Sequence, residues 1–378
     1  MTASADIIVI GGGIAGVSAA YELAAEPSSV LLLEAEDQLA YHSTGRSAAM
    51  FILNYGPPSV RALTAAGRVF FETPPEGFAE HPLVGPRGIL TVARTGQERD
   101  IAALVSEGRG IVAMSPEEAL AKVPLLRRGH LATAAYEADA REIDVHALHS
   151  GYVKGLRARG GRIVTRARVQ GLERRGAGWV VETTAGPFTA PVVVDAAGAW
   201  ADEVAALAGL DPLGLVPKRR TAIIVDGSGE ACDSSAWPVV ADVGHSWYFK
   251  PEAGGKLLVS PGDETPMPPC DIRPDELDIA MTVERFEQAM DLPVRRVEHS
   301  WAGLRTFAPD GTLIIGWDPR AEGFFWLAGQ GGYGIQTAPA AAKLAAALVA
   351  RRPVPGSIAE TGLDVAVLAP DRLIGSVS

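Results

Sequence analysis

Only two cysteines, Cys232 and Cys270, occur among the 378 residues, and no C-x-x-C spacing is present. That excludes a disulfide framework and a thiolate metal cage, and it fits a reducing cytoplasm. Positive charge is also short: 34 Lys and Arg against 45 Asp and Glu give a net charge of −11. Nucleic-acid binding rests on a basic surface, so no polyanionic partner is expected, while a local basic pocket can still hold a small acid. There is no run of about 20 apolar residues, so no membrane-spanning segment is expected. The opening MTASAD lacks the positive stretch of a secretory signal. On these absences a soluble, cytoplasmic chain is expected. At 47% apolar and 21% charged it is ordinary for a folded protein, and long enough for two domains.

Glycine, by contrast, is abundant, and two stretches concentrate it. Residues 6–34 read DIIVIGGGIAGVSAAYELAAEPSSVLLLE. The run Ile7–Ile10 predicts a short buried strand, and helical period follows through Ile14, Val17 and Leu23. Val30–Leu33 predicts a second strand, closed by Glu34. Gly11, Gly13 and Gly16 stand at G-x-G-x-x-G spacing: a tight turn, a close backbone approach to a pyrophosphate, and close helix–strand packing. The helix N-terminus favours the phosphates. Glu34 suits the hydroxyls of a ribose and argues against NADP, leaving NAD and FAD both open. The second stretch, LAGQGGYGIQTAP (327–339), lies between GFFWLAG (323–329) and the Ala-rich run 340–350. It too reads as strand, glycine turn, helix, so the chain carries two anion-facing loops.

Between them the nucleotide pattern is interrupted. PPSVRALTAAGRVFFETPP (57–75) predicts a helix bounded by prolines, and GILTVAR (88–94) a strand. A helix capped by Asp144 and a strand follow over 143–164, then strands in RARVQGLE, GWVVETTA and APVVVDAAGAW. Residues 215–305 are strand-rich, interrupted by a helix over 275–290. TLIIG, GFFWLAG and the last helix close the chain. The expected architecture is α/β. A discontinuous Rossmann-like dinucleotide domain spans 1–50, 141–214 and 300–378, and an inserted antiparallel-sheet substrate domain spans 51–140 and 215–299. His146 and His149 share a helix face at i, i+3, but no further ligand stands nearby, so no metal site is expected.

Four stretches together identify a family: GGGIAG with Glu34, YHSTGRSA (41–48), VVVDAAGAWAD (192–202), and WAGLRTFAPDG with LAGQGGYGIQT. They resemble the D-amino-acid oxidase superfamily, which includes glycine and sarcosine oxidases, and are most similar to the bacterial D-arginine-type dehydrogenases. The resemblance implies FAD, and it gives the second loop a purpose, since one long cofactor needs both. Its phosphate and adenosine end falls to Gly11, Gly13, Ile14, Gly16, Glu34 and Ala35, the last standing where many relatives carry a basic residue. Ser43, Thr44, Arg46, Ser47 and Ala48, with Val169 and Gly198, are implied along its length. Gly331, Gly332, Tyr333, Gly334, Ile335 and Gln336 are implied at the flavin ring. No cysteine stands around Trp301–Phe307, where sarcosine oxidases attach flavin, so the FAD is expected to be non-covalent.

For the substrate, Arg305 is the candidate anchor, since a guanidinium forks two hydrogen bonds onto a carboxylate. The resemblance adds Tyr248 as its assistant, Arg220 and Tyr55 near the carboxylate and pocket mouth, and the Gly332 carbonyl as acceptor for the amine. The implied reaction is oxidative deamination of a D-amino acid. A hydride passes from Cα to flavin N5, and the imino acid hydrolyses to a 2-oxo acid and ammonia. Met50, Ile52, Ile89, Val239 and Ala241 are implied in the side-chain pocket. D-arginine-type relatives place an acid where Ile89 stands, a His at Met50 and a Thr at Ile52. Without that acid, apolar side chains are expected to be preferred. The acceptor of the electrons, a quinone, another carrier or O2, is left open. So are a glycine- or sarcosine-type oxidase and a non-catalytic flavin-binding protein.

Overall fold

The computed structural model describes residues 3–227 and 233–375. Cys232 therefore lies outside the described residues, and Cys270 is free and half-buried. Two large sheets organise the chain. The first has six strands in the order Arg162–Val164, Val30–Leu33, Ile7–Ile10, Val192–Asp195, Phe324–Ala328, Ile314–Trp317. All neighbours are parallel except the last pair, an antiparallel hairpin. Every residue of Ile7–Ile10, Val30–Leu33 and Phe324–Ala328 is buried, as continuous apolar strands covered on both faces should be.

One face packs under the helices Ile14–Leu23, Val145–Ala158 and Gly334–Val349. The other is covered by a small antiparallel sheet bearing Trp179 and Phe188, and by the helix Ala201–Leu207. The strand order reverses between Ile7–Ile10 and Val192–Asp195. Ligands of such sheets bind outside the carboxyl ends of the strands at this reversal.

The second sheet has eight strands: Val297–Phe307, Val216–Asp226, Lys256–Ser260, Tyr248–Glu252, Val239–Asp242, Ile89–Ala93, Thr133–Glu137 and Ile111–Met114, in that order. It is antiparallel except where Val239–Asp242 runs parallel to Ile89–Ala93. Val297–Phe307 pairs along Val216–Asp226 and then bridges from Phe307 to Gln330. A three-stranded sheet of Met50–Phe51, Arg141–Ile143 and Val84–Pro86 lies between them in sequence.

The Pro58–Glu72, Val145–Ala158 and Glu276–Ala289 helices fall where the sequence predicts them, and Asp144 accepts from the Ala147 amide at 2.8 Å as an N-cap. Residues 95–140 hold more than expected: the helices Glu98–Glu107 and Pro116–Lys122 and the strands Ile111–Met114 and Thr133–Glu137. The second of these helices starts with a full capping box, Ser115 with Glu118, a signal legible in the sequence. No helix among the described residues is long and apolar enough to cross a membrane, and none of their His, Cys, Asp and Glu cluster as metal ligands.

Candidate active site

One cavity of about 1060 Å³ lies between the two sheets, lined by both glycine loops and by the 41–56 segment. At the strand-order reversal, Gly11 has φ +112°, and an added Cβ would stand 2.4 Å from the Ala196 carbonyl oxygen. A Cβ on Gly16 would stand 1.9 Å from the carbonyl oxygen of Gly11. Both positions are closed to any side chain by the protein's own backbone. Gly13 differs: its added Cβ would meet only the Thr44 Oγ1, at 3.3 Å. Its backbone edge is open toward the cavity, as the approach of a pyrophosphate requires.

Thr44 Oγ1 accepts from the Ile14 amide at 3.0 Å, capping the first helix from outside. Glu34, buried at the end of the second strand, accepts from the Gly12 amide at 2.7 Å and the Glu36 amide at 2.9 Å. Each oxygen retains acceptor capacity for a ribose hydroxyl. His149, set aside as a metal ligand, has a different place: its Nε2 donates to the Gly12 carbonyl at 3.0 Å. Burial pushes its pKa down, so the ring is neutral at pH 7.

Several implied cofactor residues line the cavity but spend their side chains on the protein. Arg46 donates to the carbonyls of Ile272 (3.0 Å) and Ala302 (3.1 Å) and pairs with Asp271. Ser43 donates to the Leu304 carbonyl at 2.6 Å, and Ser47 to that of Thr44 at 2.9 Å. Gln336 is buried with its amide donating to Thr64 (3.0 Å) and accepting from the Ile52 amide (3.3 Å). Ala35, Ala48, Val169, Gly198, Tyr333 and Ile335 also line the wall.

At the other loop, Gly331 takes φ +53° and its amide donates to the Thr306 carbonyl at 2.8 Å. This brings Gly332 against Arg305: a Cβ on Gly332 would stand 2.9 Å from the Arg305 Nη1. Burial acts against the charge of Arg305, but the facing Tyr55 and Tyr248 oxygens and Glu264 outweigh it and hold its pKa above the ordinary guanidinium value. For Tyr248, burial is outweighed by the Arg305 and Arg220 cations and by hydrogen bonds from Ser260 and Arg220, so its pKa falls below the usual phenol value. The Tyr55 ring packs edge-on against Tyr333, centroids 5.0 Å apart, and burial pushes the Tyr333 pKa up to about 12. Arg220 is fixed by the Asp263 carbonyl (2.8 Å) and Glu264 (3.2 Å). The structure thus brings Arg305, Tyr248, Arg220, Tyr55 and Gly332 to one end of the cavity.

Met50, Ile52, Ile89, Val239 and Ala241 line the same cavity, with Val239 in register with Ile89. The pocket wall is not apolar throughout, however. Ile89 is also in register with Glu137, which the sequence reading missed, and Glu137 lines the cavity as well. The lack of an acid at position 89 does not leave this wall without one.

The two glycine loops, the buried Glu34 and the open edge at Gly13 fit a long dinucleotide whose phosphates meet the first helix and whose far end reaches the second. Comparison with known proteins agrees. Residues 6–348 match the family model described as FAD dependent oxidoreductase. Glycine oxidase of Geobacillus kaustophilus is 25% identical over all of this chain and 99% of its own length, and that of Bacillus subtilis is 26% identical over 92% and 94%. Human mitochondrial dimethylglycine dehydrogenase is 26% identical over 88% of this chain, which spans 41% of that protein. The crystal structure of the Geobacillus glycine oxidase superposes with a TM-score of 0.83 at 24% identity, over 99% of this chain and all of that one. L-proline dehydrogenase from P. horikoshii gives 0.82 at 22% identity, over 98% of each chain. The chain belongs to the FAD-dependent oxidoreductase family, and FAD is its cofactor.

Proposed function

We propose that the chain oxidises the α-carbon of D-amino acids, releasing imino acids that hydrolyse to 2-oxo acids and ammonia. The observation that carries this reading is Arg305, held charged in the cavity wall between Tyr55, Tyr248 and the second glycine loop. Its fork grips the substrate carboxylate. Tyr248 adds a hydroxyl donor whose acidity the two arginines raise, and Tyr55 closes the mouth. With the carboxylate so fixed, the Gly332 carbonyl accepts from the substrate amine and orients its lone pair toward the forming C=N bond. FAD, when bound, takes the two electrons that leave with the Cα hydrogen. The apolar residues Val239, Ala241 and Ile89 support a side chain that is apolar where it leaves Cα. The cysteine usage supports a cytoplasmic location, and the acceptor of the electrons is left open among a quinone, another carrier and O2. The glycine oxidase relatives favour a second reading, an oxidase of glycine or N-methyl amines that passes electrons to O2.

The test is anaerobic mixing of the yellow holoprotein with D- and L-amino acids, glycine and sarcosine, followed by flavin absorbance. Bleaching by D-amino acids, and slowly or not at all by their L-forms, is the expected result. Bleaching by glycine or sarcosine alone, with hydrogen peroxide formed in air, would replace it with the second reading.

A further inference from the structure

The substrate sheet carries a feature that the proposed chemistry does not use. On one face, Tyr248 is in register with Ala241; one residue pair along, Val239 is in register with Ile89, and Ile89 with Glu137. Alternation along each strand puts all of these on the cavity side, and each lines the cavity. The face therefore runs from the carboxylate end at Tyr248, across apolar Ala241, Val239 and Ile89, to an acid. The two ends are three strand spacings, about 14 Å, apart across the sheet and offset by about 7 Å along the strands.

Glu137 is 5% exposed. Burial raises its pKa, against which act only neutral donors, the Asn54 side-chain amide and the backbone amides of Leu53 and Asn54. Asn54 is itself bracketed by the Arg109 backbone, accepting at 2.8 Å and donating at 3.0 Å. The charge acting on Glu137 is another acid, Asp139. Lys250, on the same face, is already committed to Glu142 (2.7 Å) and Glu252 (2.8 Å). A buried carboxylate without a counter-ion is costly, and a carboxylate accepts about four hydrogen bonds, so this one has room for a cation.

We propose that Glu137 selects the substrate side chain: long, apolar next to Cα, and tipped with an ammonium or guanidinium group. The inference rests on the proposed function, which fixes the substrate carboxylate at Arg305 and Tyr248. A cationic tip supplies donors and the missing charge together, whereas an apolar tip of equal length leaves Glu137 uncompensated. Glu137 thereby restores, from the neighbouring strand, the acid that position 89 lacks.

Two ligands of the wild-type holoprotein test the subsite without any variant: 6-aminohexanoate and hexanoate, titrated by flavin absorbance changes. Each has the carboxylate and no α-amine, and only the first has the cationic tip. The aminated ligand is expected to bind about tenfold more tightly or better. Glu137→Gln then separates selection from scaffolding. The ratio of kcat/KM for lysine over norleucine, taken with each hand, should fall about tenfold. Equal binding of the two ligands would overturn the proposal. So would a variant that slows lysine and norleucine alike, since Glu137 would then only hold the 53–54 turn. If no α-amino acid bleaches the flavin but 6-aminohexanoate still binds more tightly than hexanoate, the proposed reaction falls and the cation subsite stands.

Discussion

His149 illustrates how a residue acquires its role from contacts that its own neighbours in sequence do not reveal. On the helix it forms an i, i+3 pair with His146, a spacing that suggests metal. In the fold it reaches the first glycine loop and donates to Gly12. That bond holds the backbone of the turn by which Gly11, Gly12 and Gly13 line the cavity. Replacing it by leucine keeps the buried volume and removes this donor, leaving the Gly12 carbonyl with the Ala40 amide alone, at 3.2 Å. One neutral hydrogen bond is worth about 1 kcal/mol, so the FAD dissociation constant of the apoprotein should rise about fivefold. Titration of FAD into apoprotein, followed by flavin fluorescence, measures it; an unchanged constant would mean the loop holds its shape without His149. Gly11, Gly16 and Glu34 were legible because their roles are local and their spacing is set by one strand–turn–helix unit. Arg305 and Tyr248 could be picked out only through resemblance, because nothing near them in sequence shows that they meet. Glu137 was not legible at all: its meaning comes from being paired with Ile89, a register that only the folded sheet reveals.

At the scale of elements, the capped Pro116–Lys122 helix was missed, whereas the buried apolar strands and the longer helices Pro58–Glu72, Val145–Ala158 and Glu276–Ala289 read correctly, since each bears its own period. The short strands over 111–137 did not, because their pairing with one another, rather than alternation within them, defines them. The hairpin Ile314–Trp317 with Phe324–Ala328 shows how a single polar group secures such an element inside a core. Asp318, 4% exposed at its turn, accepts from Trp326 Nε1 at 2.9 Å and from Arg320 Nη2 at 2.7 Å. Burial alone would raise its pKa, but the Arg320 and Trp326 bonds prevail and lower it. A carboxyl whose folded pKa is depressed stabilises the fold fully above its unfolded value, about 3.9, and loses that contribution as pH falls through the folded value. Asp318→Asn should therefore be less stable than wild type at pH 7, with the gap closing below about pH 4. Urea unfolding of both proteins across that range checks the sign; a gap that stays constant with pH would show that the charge of Asp318 contributes nothing.

For the whole molecule, the cavity exists because two sheets are held at a fixed separation, and few side chains do the holding. Gln336 ties the last helix to Thr64 and to the Ile52 amide. Ser43 and Arg46 tie the 41–48 loop to the Val297–Phe307 strand at the Leu304 and Ala302 carbonyls, and Arg46 also ties it to the Ile272 carbonyl and Asp271. Since its guanidinium is spent in this way, Arg46 is expected to act on cofactor binding through the placement of Ser43, Thr44 and Ser47 rather than by touching a phosphate. Arg46→Met keeps the stem and removes every one of those donors, taking this partner from the carbonyls of Tyr41, Ile272 and Ala302 and from Asp271, a loss of roughly 2–4 kcal/mol. FAD would bridge the same gap, and a ligand at 100 times its dissociation constant adds about 2.7 kcal/mol to the folded state. Scanning calorimetry should thus find the variant's Tm lowered in both forms, with FAD weaker in affinity yet restoring part of the loss when supplied in excess. Salt distinguishes the two possible origins of a weaker FAD affinity. If Arg46 met the phosphates directly, the affinity of wild type would fall with ionic strength and that of the variant would not. If it acts by placement, the two proteins should lose affinity in parallel as salt is raised.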